Sequence, residues 1–118
     1  MNYMNKSLGK VERYIYERLD EKGALMFMVV DPVDYESPDQ AVKTAKAAAD
    51  GGADVILMGG SIGAQGELLD GVTKRVKEQV DVPVVLFPGN IATLTRHADA
   101  VYFMSLLNAR KTYWITHA

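Results

Sequence analysis

The chain has no cysteine among its 118 residues, so neither a disulfide framework nor a thiolate metal site can organise it. No apolar run approaches the roughly 20 residues that a membrane-spanning helix requires. The opening stretch MNYMNKSLGK lacks the apolar centre of a signal peptide. Positive charge is not in excess: 13 basic and 15 acidic residues leave a formal charge of −2. Such a surface does not displace the counterions of nucleic acid, which argues against that class of partner. His97 and His117 have no partner at ligand spacing and read as ordinary surface residues. No Ser-His-Asp order is visible, and no lysine stands at the first strand ends, which disfavours a Schiff-base aldolase.

What is present is the material of a core. At 48% hydrophobic residues the chain can bury a single domain of ordinary size, expected in the cytoplasm. Leu8, Val11, Ile15 and Leu19 recur at three- and four-residue steps, which predicts an amphipathic helix over about 7–22 with Ser7 as cap and Gly23 as stop. ALMFMVV (24–30) is apolar throughout, the pattern of a strand covered on both faces in a parallel sheet, and Pro32 ends it.

Next, SPDQAVKTAKAAADGG predicts a second helix. Ser37 caps it, Pro38 takes the first helical position, Gln40 completes a capping box, and Gly51 and Gly52 close it. Ala41, Val42, Ala45, Ala48 and Ala49 give it a narrow face suited to lying close on a sheet. DVILM is a second strand. LLDGVTKRVKEQV is a third helix with Leu68, Leu69, Val72, Val76 and Val80 inward, and PVVLF is a third strand. IATLTRHAD is expected to form a short helical segment and AVYFM a fourth strand. Strand starts near Ala24, Asp54 and Pro83 give a βα repeat of roughly 30 residues. The expected fold is α/β: about four parallel βα units forming the N-terminal half of a (β/α)8 TIM-type barrel. A short open flavodoxin-like sheet is the alternative.

In either architecture ligands bind beyond the carboxyl ends of the strands. Asp31 lies there after the first strand, as a cation-holding carboxylate or equally as the start of an Asp-Pro turn. Asp34 and Glu36 read as solvated loop residues. Gly59, Gly60 and Ser61 end the second strand one repeat later. Glycines admit a ligand close to the backbone, and a hydroxyl can join a magnesium shell completed by water and phosphate oxygens. Gly63 and Gly66 read as loop flexibility. Asn90, in the loop PGN after the third strand, reads first as a helix cap and second as a ligand-orienting amide. Arg110 and Lys111 could meet a diphosphate or stay solvated, and Tyr113 and Trp114 could line a groove, an interface or the core.

Together VVDP, LMGGS, PVVLFPGN, ADAVYFMSLLNAR and YWI resemble the geranylgeranylglyceryl phosphate synthases of archaea and their bacterial heptaprenylglyceryl phosphate relatives. The resemblance runs from about Val11 to Ile115. It implies a modified (β/α)8 barrel that transfers an allylic prenyl group from a diphosphate to the 3-hydroxyl of sn-glycerol 1-phosphate. It also implies Mg²⁺ held by Asp31 and Ser61, with Gly59, Gly60, Ser61 and Asn90 on the substrate. Tyr102, Phe103, Met104 and Leu107 are candidates for the prenyl groove, though strand residues are more often core. The Asp-rich repeats of helical prenyl-chain synthases are absent. Peripheral membrane contact follows only from the lipid product, since no basic amphipathic helix demands it.

Members of that family are about twice this length, as a complete barrel requires. Their acceptor site is built from a second half not matched here, so the catalytic residues on the acceptor side are unknown. The expectation is therefore a truncated enzyme, or a non-catalytic half-barrel that retains at most metal-diphosphate binding. A half-barrel leaves two open edges and one uncovered apolar face, which predicts a homo-oligomer, a rearranged domain or poor solubility.

Overall fold

A computed structural model describes residues 9–59, 66–87 and 95–101. Helix α1 (Lys10–Lys22) is followed by strand β1 (Phe27–Val30), a 3₁₀ turn (Pro32–Asp34) and helix α2 (Pro38–Asp50). Then come β2 (Val55–Met58), α3 (Gly66–Gln79), β3 (Val84–Leu86) and β4 (Ala100–Val101). All three strand pairs are parallel and the sheet runs in chain order, β1-β2-β3-β4.

That order decides between the two architectures. A flavodoxin-like sheet places its first strand inside, in the order 2-1-3. Here β1 stands at an edge and each strand lies beside its predecessor, as in a barrel arc. The fold is α/β, a half-barrel of parallel βα units.

The helices α2 and α3 pack on one face of the sheet and on each other. Between them and the strands lies the core: Val30, Ile56, Met58, Val84 and Leu86 from the sheet, with Ala41, Val42, Ala45, Leu69, Val72 and Val76 from the helices. The small-residue face of α2 allows this close approach, and Ala48 and Ala49 pack at its margin. The other sheet face is apolar too, but less covered: Phe27 keeps 39% and Val29 54% of its surface exposed. The uninterrupted apolar run 24–30 suggested a strand buried on both sides. The structure shortens it to four residues and leaves one side open.

Local chemistry accounts for most boundaries. Ser37 accepts a bond from the Gln40 N–H at 3.3 Å, and Pro38 occupies the first turn of α2. The capping box is shifted, because Gln40 Oε1 accepts from the N–H of Glu36 rather than that of Ser37. Gly23 closes α1 at φ 78° and donates to Leu19 O at 2.8 Å, the left-handed stop expected of it. The helix begins at Lys10 with Gly9 as cap, and Ser7 and Leu8 lie outside the described residues. Its supposed inward face is not buried: Val11 and Ile15 are half-covered and Leu19 is exposed.

Helix α3 starts two residues earlier than expected, at Gly66 with φ 60°. That glycine therefore meets a backbone demand rather than loosening a loop. Thr73 joins its buried face, and Leu68 is only partly buried. Of the helical segment expected over IATLTRHAD, residues 91–94 lie outside the described residues, and 96–99 form turns and bends. Among the described residues no helix is long and apolar enough to cross a membrane.

Candidate functional site at the strand ends

Three strands stop at one level. Val30 pairs with Met58 and Met58 with Leu86, so the residues after them, Asp31, Gly59 and Phe87, form one rim. The ladder continues into that rim: Gly59 N–H donates to Val30 O at 2.9 Å and Phe87 N–H to Met58 O at 3.0 Å. Asp31 and Gly59 are thus neighbours on adjacent strands.

Asp31 is half-buried and in extended conformation. Its Oδ1 accepts from Val33 N–H at 3.3 Å, and its carbonyl accepts from Asp34 N–H at 3.0 Å. The residue therefore does start the Asp-Pro turn. The turn bond also holds the carboxylate at the rim. Asp34 and Glu36 are exposed.

Gly59 is required on two counts. Its φ is 75°, and a Cβ there would lie 3.1 Å from Leu69 Cδ1 and 3.9 Å from Leu86 Cδ1. The substrate-binding candidates Gly60, Ser61 and Asn90 lie outside the described residues, as do Gly63, Tyr102, Phe103, Met104, Leu107, Arg110, Lys111, Tyr113, Trp114 and His117. His97 is half-buried rather than exposed, and its N–H donates to Thr95 Oγ1 at 3.3 Å.

Among the described residues no three His, Cys, Asp or Glu side chains gather to hold a metal. Among the described residues at this rim the carboxylate is that of Asp31.

The strongest electrostatics lie at the opposite end of the sheet. Asp54, fully buried, exchanges two hydrogen bonds with the backbone of Met26: its N–H donates to Met26 O at 2.8 Å, and its Oδ2 accepts from Met26 N–H at 2.9 Å. Its Oδ1 meets Lys22 Nζ at 2.6 Å and Arg18 Nη2 at 3.0 Å, both from α1. Tyr14 Oη adds a bond to Asp54 O at 3.0 Å. The lysine bond, then the Met26 amide, outweigh burial and hold the Asp54 carboxyl down at about 2. The Arg18 guanidinium is raised in turn, chiefly by its bond to Asp54.

Asp99 repeats the device. Its N–H donates to Val84 O at 2.7 Å, its Oδ2 accepts from Val84 N–H at 2.8 Å, and Lys77 of α3 pairs with it at 2.8 Å. Each Ala-Asp step, Ala53-Asp54 and Ala98-Asp99, thus clamps its strand to the one before. The sequence reading passed over both clamps. Their signal was the repeated Ala-Asp immediately before an apolar strand.

Between α1 and the open sheet face lies a hollow of about 800 Å³, lined by Tyr14, Ile15, Phe27, Leu57, Val85 and Val101 among others. Asp31 and Gly59 are not part of its lining.

A family model described as the PcrB family matches residues 17–118. The chain belongs to the PcrB family. Its similarity to geranylgeranylglyceryl phosphate synthases is high: 51% identity over 111 residues with that of Thermococcus sibiricus and 48% over 111 with that of Pyrococcus horikoshii. Each alignment covers 94% of this chain and 43% of the relative, so this PcrB-family chain spans less than half the length of the curated relatives it matches. Among solved structures, wild-type GGGPS from Thermoplasma volcanium superposes with a TM-score of 0.78 at 34% identity, covering 92% of this chain and 42% of that one. The (S)-3-O-geranylgeranylglyceryl phosphate synthase of Thermoplasma acidophilum, solved with its substrate sn-glycerol-1-phosphate, gives the same TM-score at 28% identity, again over 92% and 42%.

Proposed function

We propose that this chain carries the metal and diphosphate side of a prenyltransferase. The enzyme it represents moves a geranylgeranyl-type group from an allylic diphosphate to the 3-hydroxyl of sn-glycerol 1-phosphate. The observation that carries this reading is the placement of Asp31 and Gly59 as neighbours on the rim of a sheet whose sequence is about half identical to named synthases of that reaction. The glycerol phosphate acceptor is supported by the Thermoplasma acidophilum relative, which was solved with it.

In this reading Asp31 and Ser61 hold Mg²⁺. Bound there, the ion supplies positive charge against the diphosphate that leaves as the allylic C–O bond breaks. The chain's own residues do the positioning. The Asp31 carboxylate is held at the rim by the turn bond from Val33. Gly59 carries the chain through a positive φ at the rim, where a Cβ would press on Leu69 and touch Leu86. Gly60 and Asn90, outside the described residues, are assigned to the substrate in this reading. The lipid product brings peripheral membrane contact into the proposal.

A second reading is favoured by one observation, the 43% share of the relatives' length. On it, the chain is a non-catalytic half-barrel that retains metal-diphosphate binding without turnover. A transfer assay with labelled geranylgeranyl diphosphate, sn-glycerol 1-phosphate and Mg²⁺, against a chelator control, separates the two. Chelator-sensitive ether product supports the first. Folded protein that binds diphosphate and yields no product supports the second. Asp31→Ala is expected to abolish Mg²⁺-dependent diphosphate binding on either reading, and unchanged calorimetric titrations would refute the metal assignment.

A further inference from the structure

Helix α1 is joined to the sheet by polar groups where α2 and α3 use apolar ones. It buries none of its residues, whereas α2 buries Ala41, Val42 and Ala45 and α3 buries Leu69, Val72, Thr73 and Val76. Tyr14, Arg18 and Lys22 follow one another at four-residue steps, so they form one line along the helix. All three reach the same residue, Asp54: the tyrosine hydroxyl donates to its carbonyl, and the two cations donate to Oδ1. Val11, Ile15 and Leu19 form the neighbouring line. Val11 and Ile15 share the hollow with Phe27 and Leu57, and neither is sealed there.

Such an attachment is readily exchanged for water. Arg18 and Lys22 keep 38% and 39% of their side chains exposed, so solvent competes for both. Arg18 Nε is buried with no partner among the described residues, a donor that water recovers when the helix lifts. The anchor on the sheet side does not need the helix. Asp54 N–H and Oδ2 are bonded to Met26, so β1 stays fastened to β2 when α1 leaves. Between the helix and Met26 stands Gly23, exposed, at φ 78° and with nothing packed against it, where the backbone angle can change at little cost.

We infer that α1 is a strap: latched to the foot of the sheet by Tyr14, Arg18 and Lys22 on Asp54, it lifts about Gly23 while the sheet, α2 and α3 stay folded. The movement carries Val11 and Ile15 away from Phe27 and Leu57 and uncovers that end of the hollow. It breaks no strand ladder, needs no ligand and stands apart from the transfer reaction.

Hydrogen exchange on the whole chain, read by mass spectrometry across sub-denaturing urea concentrations, tests the strap. A released helix of 13 residues is marginal in water, so release registers as exchange. Amides of α1 are expected to exchange faster than those of α2 and α3, and with a weaker dependence on urea, because less surface is exposed. Lys22→Gln removes one latch cation and leaves the Asp54-Met26 bonds in place; it is expected to speed α1 exchange about fivefold. Spin labels at Glu17→Cys and Lys74→Cys, exposed sites on α1 and α3 in a chain with no cysteine of its own, separate lifting from fraying in place. A second label distance that gains population in Lys22→Gln is expected. Protection of α1 equal to that of α2 and α3, with the same urea dependence, would overturn the inference. Unchanged α1 exchange in Lys22→Gln would do so too, as would a single label distance that the substitution leaves unaltered.

Discussion

Replacing Asp54 with asparagine keeps the size of the side chain and one oxygen for the Met26 N–H, but removes the charge that Lys22 and Arg18 share. The carboxyl is held at about 2 against an ordinary 3.8. That difference is worth about 2 kcal/mol at roughly 1.4 kcal/mol per pKa unit. Lys22 and Arg18 keep more than a third of their side chains in water, so screening trims the expected loss to about 1–2 kcal/mol. The sign follows from the direction of the shift. A carboxyl whose folded value lies below its unfolded value stabilises above the unfolded value, and the benefit fades as pH falls from about 4 to 2. Urea unfolding followed by circular dichroism should therefore separate wild type from Asp54→Asn by about 1–2 kcal/mol at pH 7. The two should converge near pH 2. Equal stability at pH 7 would refute the argument. A gap that persists at pH 2 would show that the loss comes from packing rather than charge.

Two further changes test the interior. Thr73 is fully buried and its hydroxyl has no partner among the described residues, so Thr73→Val should raise stability by about 1 kcal/mol in the same denaturation experiment. Gly59→Ala must place a methyl 3.1 Å from Leu69 at φ 75°, and a loss of about 1–3 kcal/mol is expected by thermal melting.

The parts of the fold that were legible in the sequence are those set by local chemistry. Ser37 and Pro38 announce α2 within its own turn, and Gly23 needs only its own φ to stop α1. The strand positions followed from apolar runs of the right length, but their spacing fitted both a barrel arc and a flavodoxin-like sheet, and the observed order chose between them. The parts that were not legible depend on distant partners. Asp54 looks like the polar border of a strand until α1 is folded beneath it, because its two cations lie 32 and 36 positions upstream. The open face of β1 escaped notice for the opposite reason. An unbroken apolar run records what a strand can bury, not whether anything arrives to cover it. At the rim, the sequence offered Asp31 either as a turn starter or as a cation-holding carboxylate, and the structure shows the turn. Its double role, as turn starter and as carboxylate held in place, emerged only from the bond to Val33.

The aspartate clamps sit at the amino ends of the strands, and the candidate rim of Asp31 and Gly59 sits at the carboxyl ends, the length of a strand away. A change in the loops after Asp31 or Gly59 leaves the Lys22-Asp54 and Lys77-Asp99 fastenings untouched. Sequence changes there carry little penalty to the frame. The same separation makes the frame intolerant at its foot, where the loss of one acidic side chain strands cations from a helix and unhooks two strands together.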